Sequence, residues 1–294
     1  MLTVAFDGTD YAGWQIQPNK ETIEGVLNRE LSRLLNEDIK VIGASRTDSG
    51  VHAEGAVCVF DTESRIPGEK FSYAINQTLP MDIRVRASKE VDLDFHPRRV
   101  NSRKTYRYRI RHDEFPNPID ARYAHHVYTK LDLEAMEKAC EYIKGKHDFK
   151  AFCSAHTDVE TTVRTVYDVH IDVTPDKKLL QMSGIMKTAG RAETRPDTCP
   201  CGVDEGAVRV DKGSMGKGAS SGAKIRPEII DIYVTGNGFL YNMVRIIAGT
   251  LIDVGQGKIK PEDIPAILES CDREQAGPTA PAKGLTLMGY RMSK

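Results

Sequence analysis

The sequence predicts an α+β protein in which two halves share one order of elements. Strands are predicted in the first half at 2–7, 39–44, 55–61 and 83–90, and helices at 22–35 and 68–77. In the second half strands are predicted at 103–112, 163–174, 227–235 and 285–292, and helices at 132–144, 239–254 and 261–270. Each half thus reads β-α-β-β-α-β, the ferredoxin-like arrangement. We expect the two halves to form one extended sheet with a central cleft.

Local patterns support these elements. The helix at 22–35 carries apolar residues at helical spacing, namely Ile23, Val26, Leu27, Leu31, Leu34 and Leu35. The helix at 132–144 has Asp132 as its predicted N-cap and Gly145 just past its end. The predicted domains are an N-terminal half, 1–100, and a C-terminal half, 101–294.

One segment of the second half breaks the pattern. No aromatic residue lies between Tyr167 and Tyr233, and 187–224 is rich in Gly, Ser, Lys and Thr. Such a composition buries too little apolar surface to order itself, so we expect 176–226 to be a mobile insertion at a hairpin tip. A small zinc-binding or partner-binding module is the alternative. Cys199 and Cys201 alone do not complete a four-ligand zinc site, and we expect no metal.

The composition is that of a globular protein with a buried core: 294 residues, 40% hydrophobic and 28% charged. No apolar run is long enough to span a membrane, and no basic-then-apolar stretch opens the chain. The sequence therefore predicts a cytoplasmic protein without a membrane partner. Its six cysteines are too scattered for a disulfide framework, and we interpret them as reduced thiols.

A basic stretch stands out against the formal net charge of −1, which by itself argues against a nucleic-acid-binding protein. Residues 96–111, "HPRRVNSRKTYRYRIR", contain seven Arg or Lys and no acid. Interleaved with tyrosines, this stretch favours a phosphate-contacting surface with stacking platforms; a solvated strand face is the alternative. Its predicted RNA-binding residues are Arg98, Arg103 and Lys104.

Strand alternation bears on the tyrosines of this stretch. It places Tyr106, Tyr108 and Ile110 on one face, and the arginines at 103, 107, 109 and 111 on the other. By periodicity alone, Tyr106 is therefore predicted to be a core residue.

The stretch "GASRTDSGVHAEG" at 43–55 places a single carboxylate, Asp48, between small residues directly after an apolar run. Two interpretations are open: an ordinary surface turn, or a catalytic carboxylate presented at a strand end. The nearby His52 is expected to be structural.

Arg245 lies one position off the apolar stripe of the predicted helix at 239–254, near its amino-terminal end. The helix dipole favours anions at that end, so an arginine there calls for another explanation. A carboxylate partner such as Asp48 would supply it; a solvated arginine is the alternative.

Taken in order, several segments resemble those of the TruA-type tRNA pseudouridine synthases. They are "FDGTDYAGWQIQP", "TIEGVLNREL", "GASRTDSGVHAEG", "NQTLPMDIRV", "FHPRRVNSRKTYRYRI", "HDFKAF", "FLYNMVRII" and "AGPTAPAKGLTL". The resemblance spans 1–175 and 227–294, which is everything except the insertion.

The resemblance implies the pseudouridine synthase fold and an isomerase that needs no cofactor or metal. It implies a homodimer with tRNA lying across both subunits, and uridines of the anticodon stem-loop, at positions 38, 39 and 40, as targets. By position, Asp48 is implied to be the catalytic aspartate, Arg245 its partner, and Tyr106 the tyrosine that stacks on the uracil. Arg46 is implied to help displace the base from the helix.

The implied chemistry suits a single carboxylate. Pseudouridine formation breaks the bond between C1′ and N1, rotates the base and rejoins it through C5, whereas a glycosidase needs two carboxyl groups. Asp48 would act either as a nucleophile or as a base, and the sequence leaves both open. Two other functions stay open as well: a non-catalytic RNA-binding or RNA-folding protein, and a synthase acting on other RNA positions.

Overall fold

A ten-stranded sheet forms the centre of the fold in the computed structural model, which describes residues 1–154, 159–175 and 227–292. The whole predicted insertion at 176–226, with Cys199 and Cys201, lies outside the described residues. Within the described part of the chain, no helix has the length and apolarity that a membrane crossing would require.

The first half follows the predicted order closely. Its elements are β1 (Leu2–Phe6), α1 (Ile23–Leu35), β2 (Ile42–Gly43), β3 (His52–Val59), α2 (Phe71–Ile75) and β4 (Ile83–Ser88). Helix α1 begins where the Thr22 side chain accepts a hydrogen bond from the Gly25 N–H at 3.2 Å. The buried side chains of α1 include Ile23, Val26, Leu27 and Leu31, so the spacing identified the face that packs on the sheet.

The second half contains two short strands that the sequence did not predict. Its elements are β5 (Ser102–His112), β6 (His125–Val127), α3 (Leu133–Ile143), β7 (Gly145–Asp148), β8 (Val163–Pro175), β9 (Pro227–Gly236), α4 (Met243–Gly255), α5 (Ile264–Ser270) and β10 (Leu285–Met292). Strands β6 and β7 have three and four residues, too few for an alternation of polar and apolar residues to be recognised.

Helix α4 begins later than predicted, and this difference shapes the cavity described below. The prediction started it at residue 239, whereas the structure starts it at Met243. Asn242 precedes it with φ +61°, in the left-handed region, so the helix cannot extend backwards through this residue. Leu240 and Tyr241 consequently belong to a loop instead of a helix.

Each half of the sheet has the ferredoxin-like strand order, and the two halves join at one seam. The order across the sheet is β4-β1-β3-β10-β5-β9-β8-β7, with β2 paired to β3 and β6 to β5. At the seam, β3 and β10 run parallel and pair Thr286 with His52 and Leu287 with Ala53. The α+β class and the extended sheet are therefore confirmed, while the domain boundary at residue 100 stays a prediction.

Candidate active site

A cavity of about 870 Å³ lies at the seam between the two halves. Its walls come from the loop before β3, from β5, and from the loop between β9 and α4. The charged side chains among its lining residues are five cations and one acid: Lys20, Arg46, Arg98, Lys104, Arg245 and Asp48. This positive lining contrasts with the net charge of −1 for the whole chain.

Asp48 lies in the loop between β2 and β3, and it also begins a tight turn. The Val51 N–H donates to the Asp48 carbonyl oxygen at 3.1 Å, and Gly50 has φ +76°. The two interpretations of this motif are therefore compatible, because the backbone forms a turn while the side chain lines the cavity.

Close backbone packing holds the Asp48 loop against the loop that follows β1. The backbone N–H of Trp14 donates to the Thr47 carbonyl oxygen at 3.0 Å. Gly13 has φ +89°, and a Cβ at this position would lie only 2.5 Å from that same oxygen and 3.1 Å from the Asp48 carbonyl carbon. Glycine is therefore needed here both for the backbone conformation and for the space it leaves.

Arg245 is the basic residue that approaches the Asp48 carboxylate, with 3.8 Å between Nη1 and Oδ2. Their side chains are 18% and 24% exposed, so the charges interact in a largely desolvated setting. Burial raises the pKa of the Asp48 carboxyl above its ordinary value, and the positive charge of Arg245 opposes this rise. The structure thus brings together the two residues that the sequence analysis had paired.

The Arg245 guanidinium is held by neighbours other than Asp48. Its Nε donates to the Ala280 carbonyl oxygen at 2.7 Å, and its Nη1 donates to Asn242 Oδ1 at 2.8 Å. The left-handed Asn242 that starts α4 therefore also orients Arg245. Sequence reasoning missed this role of Asn242; the tolerance of asparagine for the left-handed region is a signal that could have pointed to it.

Tyr106 is both a core residue and a wall of the cavity. It is 6% exposed, and Tyr108 and Ile110 on the same face of β5 are fully buried, which confirms the alternation. Its ring packs perpendicular to the ring of Phe239, at a centroid distance of 5.3 Å and an interplanar angle of 88°. Burial raises the pKa of the Tyr106 phenol to about 12; the Ser45 hydroxyl opposes the rise and the Asp48 charge adds to it. Sequence analysis missed Phe239, because nothing local shows that it faces Tyr106.

Three of the four other predicted RNA-binding residues line the cavity. Arg46 is exposed and has no ion-pair partner in the described part of the chain, while Arg98 donates from Nε to the Gly43 carbonyl oxygen at 2.8 Å. Lys104 lines the cavity beside Tyr106. Arg103 is exposed on the opposite face of β5 and lies over the Tyr167 ring at 4.4 Å, away from the cavity.

Three further arginines of the basic stretch are neutralised by acids within the protein. Three arginines of β5 face carboxylates of other segments, in the pairs Arg107–Glu54, Arg109–Asp231 and Arg111–Asp120. The prediction of one continuous phosphate-contacting surface is therefore wrong for these three. All three acidic partners lie outside residues 96–111, so the composition of the basic stretch could not reveal these ion pairs.

His52 has a structural environment, as expected. Its Nδ1 accepts a hydrogen bond from the Gly8 N–H at 3.1 Å, and its Nε2 lies 3.0 Å from the Arg122 carbonyl oxygen. Nδ1 also lies 3.1 Å from Asp7 Oδ1, so the ring of His52 joins the backbone of two loops to the Asp7 side chain. Elsewhere in the described ranges, no cluster of three or more His, Cys, Asp or Glu side chains is arranged to hold a metal ion.

Comparison with known proteins identifies the family. A family model described as tRNA pseudouridine synthase matches residues 2–98 and 139–291. A protein named tRNA pseudouridine synthase A from Ruminiclostridium cellulolyticum is 42% identical over 287 residues, covering 98% of this chain and 96% of the relative. Proteins of the same name from Brevibacillus brevis and Caldicellulosiruptor saccharolyticus are 41% and 40% identical, over 97% and 98% of this chain and 95% and 97% of their own length. With its α+β sheet and a cavity at the seam, the chain belongs to the tRNA pseudouridine synthase family.

Proposed function

We propose that the protein isomerises uridine to pseudouridine in the anticodon stem-loop of tRNA, at positions 38, 39 and 40, with Asp48 as the catalytic residue. Membership of the family makes the chain an isomerase acting on tRNA. The observation that carries the role of Asp48 is its place as the acid among the charged side chains that line a positively charged cavity.

A single acid fits this reaction. The uracil must stay in the site after the bond to N1 breaks, so that it can turn and bond through C5. A second carboxylate that activates water, as in a glycosidase, would compete with this return. The five cations of the lining attract the phosphates of an RNA strand, while the acid repels them, so a protein that only bound RNA would have no use for Asp48.

Arg245 serves the chemistry by keeping Asp48 ionised. Burial favours the neutral carboxylic acid, and a charge at 3.8 Å favours the carboxylate. Since Arg245 is held by Ala280 and Asn242, it contributes a fixed positive potential without moving toward Asp48.

Tyr106 supports the flipped base. Removing a uridine from a stem costs a few kcal/mol, and stacking on an aromatic face returns about 1–3 kcal/mol. Tyr106 is suited to this because Phe239 fixes its ring at the cavity wall. The exposed Arg46 is free to enter the RNA stem and occupy the position of the displaced base.

The decisive experiment measures hydrogen release from C5. Unmodified tRNA carrying tritium at uracil C5 is incubated with purified protein, with chelator and without cofactor. We expect release by the wild type, none by Asp48→Asn, and normal release by Asp38→Asn, whose exposed acid lies outside the cavity. Tight tRNA binding without release by the wild type would instead support the RNA-binding alternative, and mapped pseudouridines elsewhere would change the target positions.

We also propose that the protein acts as a homodimer in the cytoplasm, with one tRNA contacting both subunits. Light scattering of the purified protein tests the first point, and twice the chain mass is expected. A stoichiometry of one tRNA per dimer in the same measurement would support the second, whereas a monomer that binds and modifies tRNA normally would contradict both.

A further inference from the structure

Lys104 and Arg98 line the cavity beside Tyr106, and Arg164 lies close by, with its Cδ and Nε 3.8 Å from a Cβ built at Gly238, the neighbour of the cavity-lining Phe239. Lys104 lies on β5, Arg98 precedes that strand, and Arg164 lies on β8. Burial lowers the pKa of the Lys104 ammonium, and the positive charges of Arg164 and Arg98 lower it further. Both arginines are thus close enough to Lys104 to repel its charge, a costly arrangement at a partly buried position.

No carboxylate compensates this group. Within residues 1–154, 159–175 and 227–292, none of the three cations has an acid within 4 Å, and Asp48 is paired with Arg245 instead. The opposite face of the same strand behaves differently, because Arg107 and Arg109 each face an acid. The protein therefore neutralises Arg107 and Arg109 on one face of β5 and leaves Lys104 on the other face without an acidic partner.

The charged heads are also held in place. Arg98 uses only Nε, toward the Gly43 carbonyl oxygen, so its two terminal nitrogens make no hydrogen bond with the described residues. Arg164 is fixed through Nη1 by the Thr161 and Val163 carbonyl oxygens, at 2.9 and 2.7 Å. Lys104 Nζ lies 5.7 Å above the Tyr290 ring. A preorganised group of this kind loses little conformational entropy when an anion binds.

The position of the group relative to Tyr106 indicates which anion it suits. Lys104 and Tyr106 are two residues apart on one strand, so they point to the same face with their Cα atoms about 7 Å apart. Arg98 and Lys104 line the same cavity as Asp48. An RNA strand whose uracil rests on Tyr106 would carry its adjacent phosphodiester toward these cations.

We propose that Arg98, Lys104 and Arg164 form a subsite for one phosphodiester group directly next to the flipped uridine. The inference rests on the proposed function for the identity of the RNA, but the binding it describes does not depend on turnover. Arg164 is thereby assigned to RNA binding although the basic stretch at 96–111 does not include it.

The first test measures the affinity of a tRNA anticodon stem-loop at several salt concentrations. It compares the chain with Lys104→Gln, Arg164→Gln and, as a matched control, Arg86→Gln, an exposed arginine on the edge strand β4. Loss of one phosphate contact should weaken binding about tenfold and reduce the salt slope by about 0.7–0.9. We expect this for Lys104→Gln and Arg164→Gln, and wild-type values for Arg86→Gln. Unchanged affinity and slope in both cavity variants would overturn the proposal.

The second test identifies the phosphate. Stem-loops are made with one neutral methylphosphonate linkage at a time around the target uridine, and binding is measured in the Asp48→Asn background to prevent turnover. In the Asp48→Asn protein that keeps Lys104, a neutral linkage at one adjacent position should weaken RNA binding about tenfold. In the protein that also carries Lys104→Gln, the same neutral linkage should cause no further loss of affinity. A Lys104→Gln penalty that persists with every neutral linkage would show that no single phosphate occupies the subsite.

Two controls separate this proposal from other failures. Removing a like charge from the group should leave the melting temperature of Lys104→Gln unchanged or higher at low salt; a decrease would indicate a structural role for the lysine over Tyr290. Tritium release by the wild type is measured in the same series. If tritium is released but Lys104→Gln shows no coupling to any neutral linkage, only the subsite proposal is contradicted. If the coupling is seen but no tritium is released, only the proposed isomerase activity is contradicted.

Discussion

Arg245 approaches Asp48 to 3.8 Å but gives its hydrogen bonds to Ala280 and Asn242. This distance exceeds that of a hydrogen bond, so the interaction is one of charge with charge. Arg245 therefore acts on the protonation of Asp48 more than on its orientation.

Replacing Arg245 should move the acidic side of the pH–rate profile. In Arg245→Gln the opposing charge is gone and burial alone acts, so the pKa of Asp48 should rise further. If the ionised carboxylate is the active form, turnover should then fall at a higher pH than in the wild type. At neutral pH we expect a loss of about 10²-fold in kcat. Steady-state kinetics between pH 5 and 9 measure both quantities, and an acidic limb that stays in place would show that Arg245 does not control Asp48.

Removing the Asp48 charge should stabilise the protein at neutral pH. The folded-state pKa is raised, so the group contributes stability below its unfolded pKa and loses this contribution as the pH rises through the folded value. Asp48→Asn should therefore melt at a higher temperature than the wild type at pH 7, by about 2–4 °C for each 1 kcal/mol recovered. The difference should shrink at lower pH. Calorimetry at both pH values checks this, and a lower melting temperature at pH 7 would mean that the ion pair is stabilising overall.

The ring and hydroxyl of Tyr106 should have separable effects. Tyr106→Phe keeps the stacking surface, so RNA affinity should stay within about twofold, while kcat should fall about 10²-fold if the hydroxyl takes up the C5 proton as it passes its own proton to the Asp48 carboxylate. Tyr106→Leu loses the ring, and binding should weaken by about 1–3 kcal/mol. Because the phenol has a pKa of about 12, ionisation of Tyr106 should not affect the rate below about pH 11. Filter binding and single-turnover kinetics separate the two effects, and full turnover by Tyr106→Phe would assign the proton to another acceptor.

Two glycines with positive φ provide a matched test of the Asp48 loop. Gly13 has φ +89° with the Thr47 carbonyl oxygen 2.5 Å from a Cβ built there, whereas Gly257 has φ +74° with nothing within 4 Å of its Cβ. Alanine should cost about 1–2 kcal/mol of stability at each position through backbone strain. Only Gly13→Ala also displaces the Asp48 loop, so we expect it to lose about 10²-fold in kcat while Gly257→Ala keeps the wild-type value. Equal kinetics in the two variants would show that the loop tolerates the displacement.

Much of the fold follows from local patterns in the chain. Helix α1 was predicted at 22–35 and observed at Ile23–Leu35, and the last strand was predicted at 285–292 and observed at Leu285–Met292. A cap acts within one helical turn and strand alternation repeats every two residues, so both can be recognised within a short window. The late start of α4 could not be predicted from local patterns. It depends on Asn242, which has a left-handed backbone conformation and accepts a hydrogen bond from Arg245.

The cavity shows the same difference between what local patterns predict and what depends on tertiary contacts. Its candidate residues could be named from motifs and from resemblance to a family, yet their neighbours could not: Phe239 against Tyr106, Asn242 on Arg245, and Arg164 beside Lys104. Arginines that look alike in the basic stretch differ in the structure, since Arg109 is paired with Asp231 and Arg98 faces the cavity.

The sequence by itself determined the α+β class, the faces of its helices and strands, and the family to which the chain belongs. The tertiary structure alone decided which charges are neutralised, which stay open to a ligand, and how far burial shifts the protonation of Asp48. The physical reason is the range of the interactions involved. Propensity and capping act between near neighbours in the chain, whereas desolvation and ion pairing depend on residues that only folding brings together.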